Sequence, residues 1–393
     1  MYVLDGTFYT THYFHQLGNY VMVNNHQNFC LNLFKRLEKE HQNLFFSPLS
    51  IQVAFAVLYE GSQGKIREEL EGVFAFNRNT IQEYKQLNRE LIKSARLFDN
   101  DFDNTTIMVT GDGTGFSERI REFFYADENI KLLVYDPENG EQILQQLKQF
   151  VSEHSDSRLL FDVFPAGLSD PNGLYLISVI KFIGRWYKPF DEQGTSDQFF
   201  MPSSGHSIPS PMMSKVSLFN YFEEKHFQIL EMPYKGDRFS MLILLPSQQL
   251  HFSELLIQLN PTALDKWLNH LKLERVQVTF PKFSIEKDMN LIPGLQKLGL
   301  AEIFSKNNTD LTGLTKSERP QYVERVWQRS LIEVNESGTT AVAVTGLDIP
   351  TFMRPSKENQ LKIFRADHPF LYLIMDKNTR LILFIGKLDH PKK

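Results

Sequence analysis

Apolar positions fall at helical spacing through the first part of this chain and at strand spacing through most of the rest. Phe29, Cys30, Leu33 and Leu37 mark one face of a helix over residues 28–38, and residues 65–74 read as another. Between them an apolar stretch from Ile51 to Leu58 follows Ser47-Pro48, an N-cap residue before a first-turn proline. Tyr84, Leu87, Leu91 and Ala95 predict a helix over 81–97, which a charge-rich loop from Asp99 to Asn104 is expected to end. Ile143, Leu144, Leu147, Phe150 and Val151 predict a further amphipathic helix. Beyond it, Leu174–Phe182, Phe239–Leu245, Arg275–Phe280, Arg325–Val334, Phe370–Met375 and Leu381–Ile385 are β-branched or aromatic runs bounded by turn residues. Helices early and strands late predict an α+β arrangement. Residues 201–212, with Pro202, Gly205, Pro209 and Pro211 among four serines, read as a loop, and no internal repeat is visible.

One segment near the C-terminus is strand-capable yet written in small residues: Glu336, Ser337, Gly338, Thr339, Thr340, Ala341, Val342, Ala343, Val344, Thr345 and Gly346. At period two, Thr339, Ala341, Ala343, Thr345, Leu347 and Ile349 share one face and all tolerate burial. Thr340, Val342, Val344, Gly346, Asp348 and Pro350 share the other, so the charge and the proline fall in one set. Such a segment can enter a sheet with its clean face inward. Its small side chains, glycines and Pro350 give it little reason to stay paired when free. The pattern suits an exposed loop with a latent strand register.

Length and composition narrow the setting. At 393 residues the length alone would suggest two or three domains of ~150 residues. Hydrophobic residues at 42%, with 33 Phe, supply ample core material. A net charge of -5 argues against nucleic acid as a general partner. The single cysteine, Cys30, forbids an internal disulfide and reads as a small buried apolar residue. His12, His15, Gln16 and Asn19 interrupt the N-terminal segment, so no secretory h-region is expected there. The apolar runs are far shorter than the ~20 residues of a membrane span.

Catalytic patterns are wanting. Gly115-Phe116-Ser117 and Gly167-Leu168-Ser169 lack the second glycine of a nucleophile elbow. Gly111-Asp112-Gly113-Thr114-Gly115 has neither dinucleotide-binding spacing nor a P-loop lysine, and reads as a turn. The 11 histidines show no H-x-x-x-H or cysteine pairing for a metal. No enzyme is expected.

The ordered blocks of the chain resemble the serpins. The C-terminal signature lies in Leu331-Ile332-Glu333-Val334-Asn335-Glu336, then His368-Pro369-Phe370-Leu371-Tyr372-Leu373-Ile374, then Leu383-Phe384-Ile385-Gly386-Lys387. Asn43 to Ser50 with Ala54-Phe55-Ala56, Gly184-Arg185-Trp186 with Pro189-Phe190, Tyr234-Lys235-Gly236 with Leu244-Leu245-Pro246, and Leu298-Gly299-Leu300 with Phe304 occur in the family's order. The resemblance covers roughly residues 24 to 390, and its specificity lies in the set. It implies one serpin domain over residues 24–393 after a leader over 1–23, with three β-sheets, about eight or nine helices and an exposed reactive-centre loop at about 336–362.

The resemblance further implies suicide-substrate inhibition of a serine protease in a covalent 1:1 complex: the protease forms an acyl-enzyme on the loop, and the cut loop enters the central sheet as a new strand. A hinge uncharged from Gly338 to Thr345 fits the inhibitory type; the alternative is a non-inhibitory carrier, chaperone or storage protein. The family's hinge-to-scissile spacing lands on Phe352, with Met353 beyond the cut, and Arg354 is the competing site. Pro355 makes Arg354-Pro355 a poor trypsin-like substrate, whereas Phe352 suits a chymotrypsin-like or elastase-like specificity slot. Where the family controls sheet opening, Ser47 and Ser50 stand in place, Ser178 replaces the expected asparagine and Gln328 the expected histidine, and Trp186 falls near the top of that sheet.

Lys85, Arg89, Lys93 and Arg96 recur every three or four residues on the helix that some serpins use for heparin-like chains, so a glycosaminoglycan is the one cofactor in question and none is required. A merely solvated basic stripe is the plainer reading, since Glu83 and Glu90 dilute it. A monomer is expected, extracellular or at the cell surface by function and cytoplasmic by the lack of a visible signal. Sequons occur at Asn104, Asn307 and Asn335, and a glycan at Asn335 would obstruct the hinge.

Overall fold

A computed structural model describes residues 6–98, 100–111, 115–125, 127, 129–135, 140–154, 170–248, 252–307, 309–339 and 360–391, with side chains from Val21 onward except at 103, 140, 141, 144 and 151–154. Nine α-helices occur among the described residues: α1 (Gly6–Leu37), α2 (Pro48–Gly61), α3 (Gly64–Phe74), α4 (Arg78–Leu97), α5 (Glu118–Phe124), α6 (Gly140–His154), α7 (Phe252–Gln258), α8 (Pro261–His270) and α9 (Ile292–Gln296). The strands are β1 (Leu44–Phe46), β2 (Asp101–Thr110), β3 (Ile130–Val134), β4 (Gly173–Arg185), β5 (Thr195–Phe200), β6 (Ile208–Glu224), β7 (Phe227–Pro233) and β8 (Phe239–Pro246). They continue as β9 (Lys272–Pro281), β10 (Phe283–Asn290), β11 (Tyr322–Asn335), β12 (Gly338–Thr339), β13 (Lys362–Arg365), β14 (Phe370–Asp376) and β15 (Leu381–Leu388).

The central sheet has six strands in the order β10-β11-β12-β4-β2-β3. A second network runs β1-β15-β14-β8-β7-β6-β9-β13, with β5 on the side of β6. It is two leaves joined by one long strand: β6 pairs with β9 over Met212–Tyr221 and with β7 over Asn220–Glu224. The described strands thus form two hydrogen-bonded sheets where three were expected, because β6 runs through both leaves of the second.

Strand β4 is buried on both faces, which is why it reads as a continuous apolar run. Leu174, Leu176, Ile180 and Phe182 join the main core, while Tyr175, Ile177 and Val179 pack with Ile143 and Leu147 of α6. Helix α2 is buried at every position, and its N-cap Ser47 side chain accepts from Ser50 N. Cys30 is fully buried, and burial pushes its thiol well above the ordinary value.

Two sequence expectations change. Helix α1 runs from Gly6 to Leu37, across the expected start of the domain at residue 24. Asp101–Asn104 opens β2 rather than extending a loop: Lys181 pairs with Asp101 at 3.1 Å and Asn104 donates to Asn88 at 3.0 Å, so the polar strand start has partners. Residues 208–212 belong to β6, in spite of Pro209 and Pro211. The Pro211 carbonyl accepts from Lys282 N at 2.9 Å, so the two prolines, one period apart, face away from β5 and cost that ladder no donor.

Candidate functional site

The seam between β4 and β11 is the centre of the central sheet. The two strands pair in parallel, directly, from Tyr322↔Gly173 to Leu331↔Lys181. Beyond that they part, and β12 lies between them: Gly338 and Thr339 pair with Asn335 and Val334 of β11 and with Arg185 and Gly184 of β4. The first residues of the expected hinge thus form a two-residue wedge in the open end of the seam.

Backbone geometry explains the residue at its entry. Gly338 has φ +153°, and a Cβ there would lie 2.0 Å from the Gly184 carbonyl oxygen. Asn335 Oδ1 accepts from Ser337 N and Gly338 N at 3.0 and 3.2 Å and holds the reversal from β11 into β12. Thr339 is fully buried, its hydroxyl 2.9 Å from that of Tyr234. The Tyr234 ring stacks on Trp186, centroids 4.7 Å apart and 9° from parallel, and the indole N–H of Trp186 donates to the Asn335 carbonyl at 3.0 Å. Trp186 is therefore both a packed core aromatic and a clamp on the turn before the hinge.

Glu336 ties this turn to the other sheet network. Its carboxylate lies 2.9 Å from Lys282 and accepts from the Thr195 hydroxyl at 2.7 Å. Burial alone would raise its pKa, but the bonds from Lys282 and Thr195, its own backbone N–H and the Lys282 charge together outweigh burial and hold the carboxyl below its usual range. Midway down the seam, Gln328 stands opposite Ser178. Its side-chain oxygen accepts from Ser47 N at 2.8 Å and its amide donates to Ser47 O at 3.0 Å, so one side chain pins β11 to the start of α2. Ser50 gives its backbone N–H to the Ser47 hydroxyl. Thr340, Ala341, Val342, Ala343, Val344 and Thr345 lie outside the described residues, as do Phe352, Met353 and Arg354.

The basic stripe on α4 changes most. Lys85 does not face solvent: it is buried, donates to the Phe123 carbonyl, pairs with Asp127 at 3.1 Å and sits 3.8 Å over the Phe123 ring. Arg89 pairs with the same Asp127 at 2.5 Å. Lys93 and Arg96 are exposed. The four do not form one free cationic face, because Asp127, just beyond α5, takes the first two. Among the sequons, Asn104 is buried and Asn307 exposed. No helix among the described residues is long and apolar enough to cross a membrane.

Sequence reasoning missed Tyr234, Thr195 and Lys282 as hinge partners. Only Tyr234 carried a signal, since it opens the Tyr234-Lys235-Gly236 block.

The family model described as Serpin (serine protease inhibitor) matches residues 24–391. This chain belongs to the serpins. A serpin-like protein of Thermococcus kodakarensis is 30% identical over 377 residues, covering 94% of this chain and 86% of that relative. Antithrombin-III of Mus musculus is 30% identical over 379 residues, covering 92% of this serpin and 80% of the mouse protein. Human thyroxine-binding globulin superposes with a TM-score of 0.81 at 24% identity, covering 95% of this serpin and 100% of that chain. The thyroxine-binding globulin structure is a complex with its thyroid-hormone ligand.

Proposed function

We propose that this serpin is a suicide-substrate inhibitor of chymotrypsin-like or elastase-like serine proteases, cut between Phe352 and Met353. The observation that carries the reading is the wedge of Gly338 and Thr339 between β11 and β4, above a seam that is otherwise closed. Thr339 faces the core, so Ala341, Ala343, Thr345, Leu347 and Ile349 would face it too if the strand were continued. Carrying the same register downward sets Ile349 between Leu174 and Glu324, and Pro350 opposite Gly173 at the foot of β4. The seam is thus filled by Pro350 and both Phe352 and Arg354 lie beyond its foot; Pro355 is what favours Phe352 over Arg354 as the cut residue.

The drive is physical. Each hydrogen bond gained adds a net ~0.5–1.5 kcal/mol, and burial of Leu347 and Ile349 adds ~1.5–3 kcal/mol apiece. The uncut fold is then held kinetically, short of its most stable arrangement.

Incubation with a panel of chymotrypsin-like enzymes tests this. An acyl complex that survives SDS and boiling is expected. Cleavage of the loop with every protease left active would move the protein to the non-inhibitory serpins.

A further inference from the structure

The end of the seam remote from the wedge is held by side chains as well as by the ladder. Tyr175 on β4 donates its hydroxyl to Glu324 on β11, Oη to Oε2 2.5 Å. Tyr322 on β11 donates its hydroxyl to Asp170, just before β4, Oη to Oδ2 2.7 Å. The two bonds cross the seam in opposite directions, and both put a phenol on a carboxylate, the stronger class of hydrogen bond.

The surroundings fix these groups. The β11–β4 register shifts between Val323 and Arg325, so Glu324 sits at a bulge and bridges by its side chain. A Cβ on Gly173 would lie 2.4 Å from Glu324 Oε2, so a larger residue there would push that carboxylate out of its present position. Asp170 also pairs with Lys306 at 3.2 Å, accepts from Asn172 N at 3.0 Å, and takes the Tyr135 hydroxyl on its carbonyl at 3.0 Å. The Tyr135 ring meets that of Tyr175 edge-on at 6.2 Å. Burial, with the bond to Asp170, pushes the Tyr322 phenol up to about 12, so it stays a donor at neutral pH.

We propose that Tyr175–Glu324 and Tyr322–Asp170 form a latch that closes the foot of the seam and is undone only in the last step of loop insertion. The inference rests on the insertion reading above. In the continued register, Ile349 enters between Leu174 and Glu324 and Pro350 arrives opposite Gly173, where β4 and β11 must separate and both bonds must break. Early insertion, near Thr339, leaves the latch intact. The latch therefore stabilises the resting form against the inserted one, and contributes nothing once the loop is in place.

The test compares Tyr175→Phe, Tyr322→Phe and their double variant with the wild type, each as uncut protein and after proteolytic cleavage of the loop. Each Phe keeps its ring and removes one oxygen. The uncut variants are expected to unfold at lower denaturant than the uncut wild type and to convert on warming, loop uncut, to a denaturant-resistant form at least about tenfold faster, the scale of losing one buried charge-assisted bond. Their cleaved forms are expected to match the cleaved wild type. Equal destabilisation of cut and uncut forms, or an unchanged conversion rate, would overturn the latch and leave the insertion reading standing. A wild type that gains no stability on cleavage would overturn the insertion reading and the latch with it.

Discussion

Thr339→Arg probes the hinge where the structure makes its consequence calculable. Thr339 is fully buried, bonded to Tyr234, and paired on both sides, with Val334 and with Gly184. An unpaired guanidinium there costs several kcal/mol. The wedge itself offers two pairings to β11 and two to β4, worth ~2–4 kcal/mol at about 1 kcal/mol per hydrogen bond. The resting protein therefore relieves the charge by releasing β12 from the seam, at a cost it can bear. After cleavage that escape closes, because the inserted strand would hold position 339 between residues already in the sheet. If ~3 kcal/mol of the burial penalty reaches the insertion barrier, insertion slows by about a hundredfold and hydrolysis of the acyl-enzyme overtakes it. Stoichiometry of inhibition and the yield of SDS-stable complex are the readouts: the variant should be cut at the wild-type rate, leave the protease active and yield little complex. Thr339→Val, which exchanges the hydroxyl for a methyl and brings in no charge, should keep a stoichiometry close to the wild type at some loss of stability from the unpaired Tyr234 hydroxyl. Unchanged stoichiometry for the arginine variant would refute the inward register of the hinge.

Mass spectrometry of the C-terminal peptide released on cleavage should show Met353 as its first residue; a peptide starting at Pro355 would transfer the specificity to Arg354. Lys85→Ala should destabilise the fold by ~1–3 kcal/mol through loss of a buried ion pair that Arg89 only partly replaces, whereas Lys93→Ala with Arg96→Ala should leave stability unchanged and lower the salt at which the protein leaves a heparin column. Coincident elution of that pair with the wild type would leave the exposed end of α4 a plain solvated surface. Glu336→Gln should lower the melting temperature at neutral pH. Because the folded-state pKa of Glu336 lies below its unfolded value, its contribution is present above the unfolded value and fades as pH falls through the folded one. The gap between variant and wild type should therefore close in acid, and a gap independent of pH would refute the role assigned to Lys282 and Thr195.

What the sequence made legible was periodic. The inward parity of Thr339, the Ser47-Pro48 helix start and the long strands β4, β8, β11, β14 and β15 follow from local spacing, and the structure places them accordingly. What stayed hidden depends on partners remote in the chain. Lys85 reads as a surface lysine until Asp127 and Phe123 are brought against it. Pro209 and Pro211 read as breakers because sequence does not say which edge of β6 needs donors. Asp101 reads as loop because its counter-charge lies on β4. Tyr175, Glu324, Tyr322 and Asp170 are ordinary residues singly and meet only when β4 and β11 pair in register. The wedge was half visible: the small residues read as a loop with a latent strand register, but did not show that Gly338 and Thr339 already rest in the sheet.

The stack of Trp186 on Tyr234 gives the hinge an optical signature. Of the three tryptophans, Trp186 alone is joined through one phenol to Thr339, so any displacement of the wedge changes the polarity and quenching around its indole. Trp267 lies in α8 against Phe227, and Trp327 lies on β11 opposite Ile177. With Trp267→Phe and Trp327→Phe in place, the remaining emission would follow the first moment of strand entry in a stopped-flow cell, on unlabelled protein.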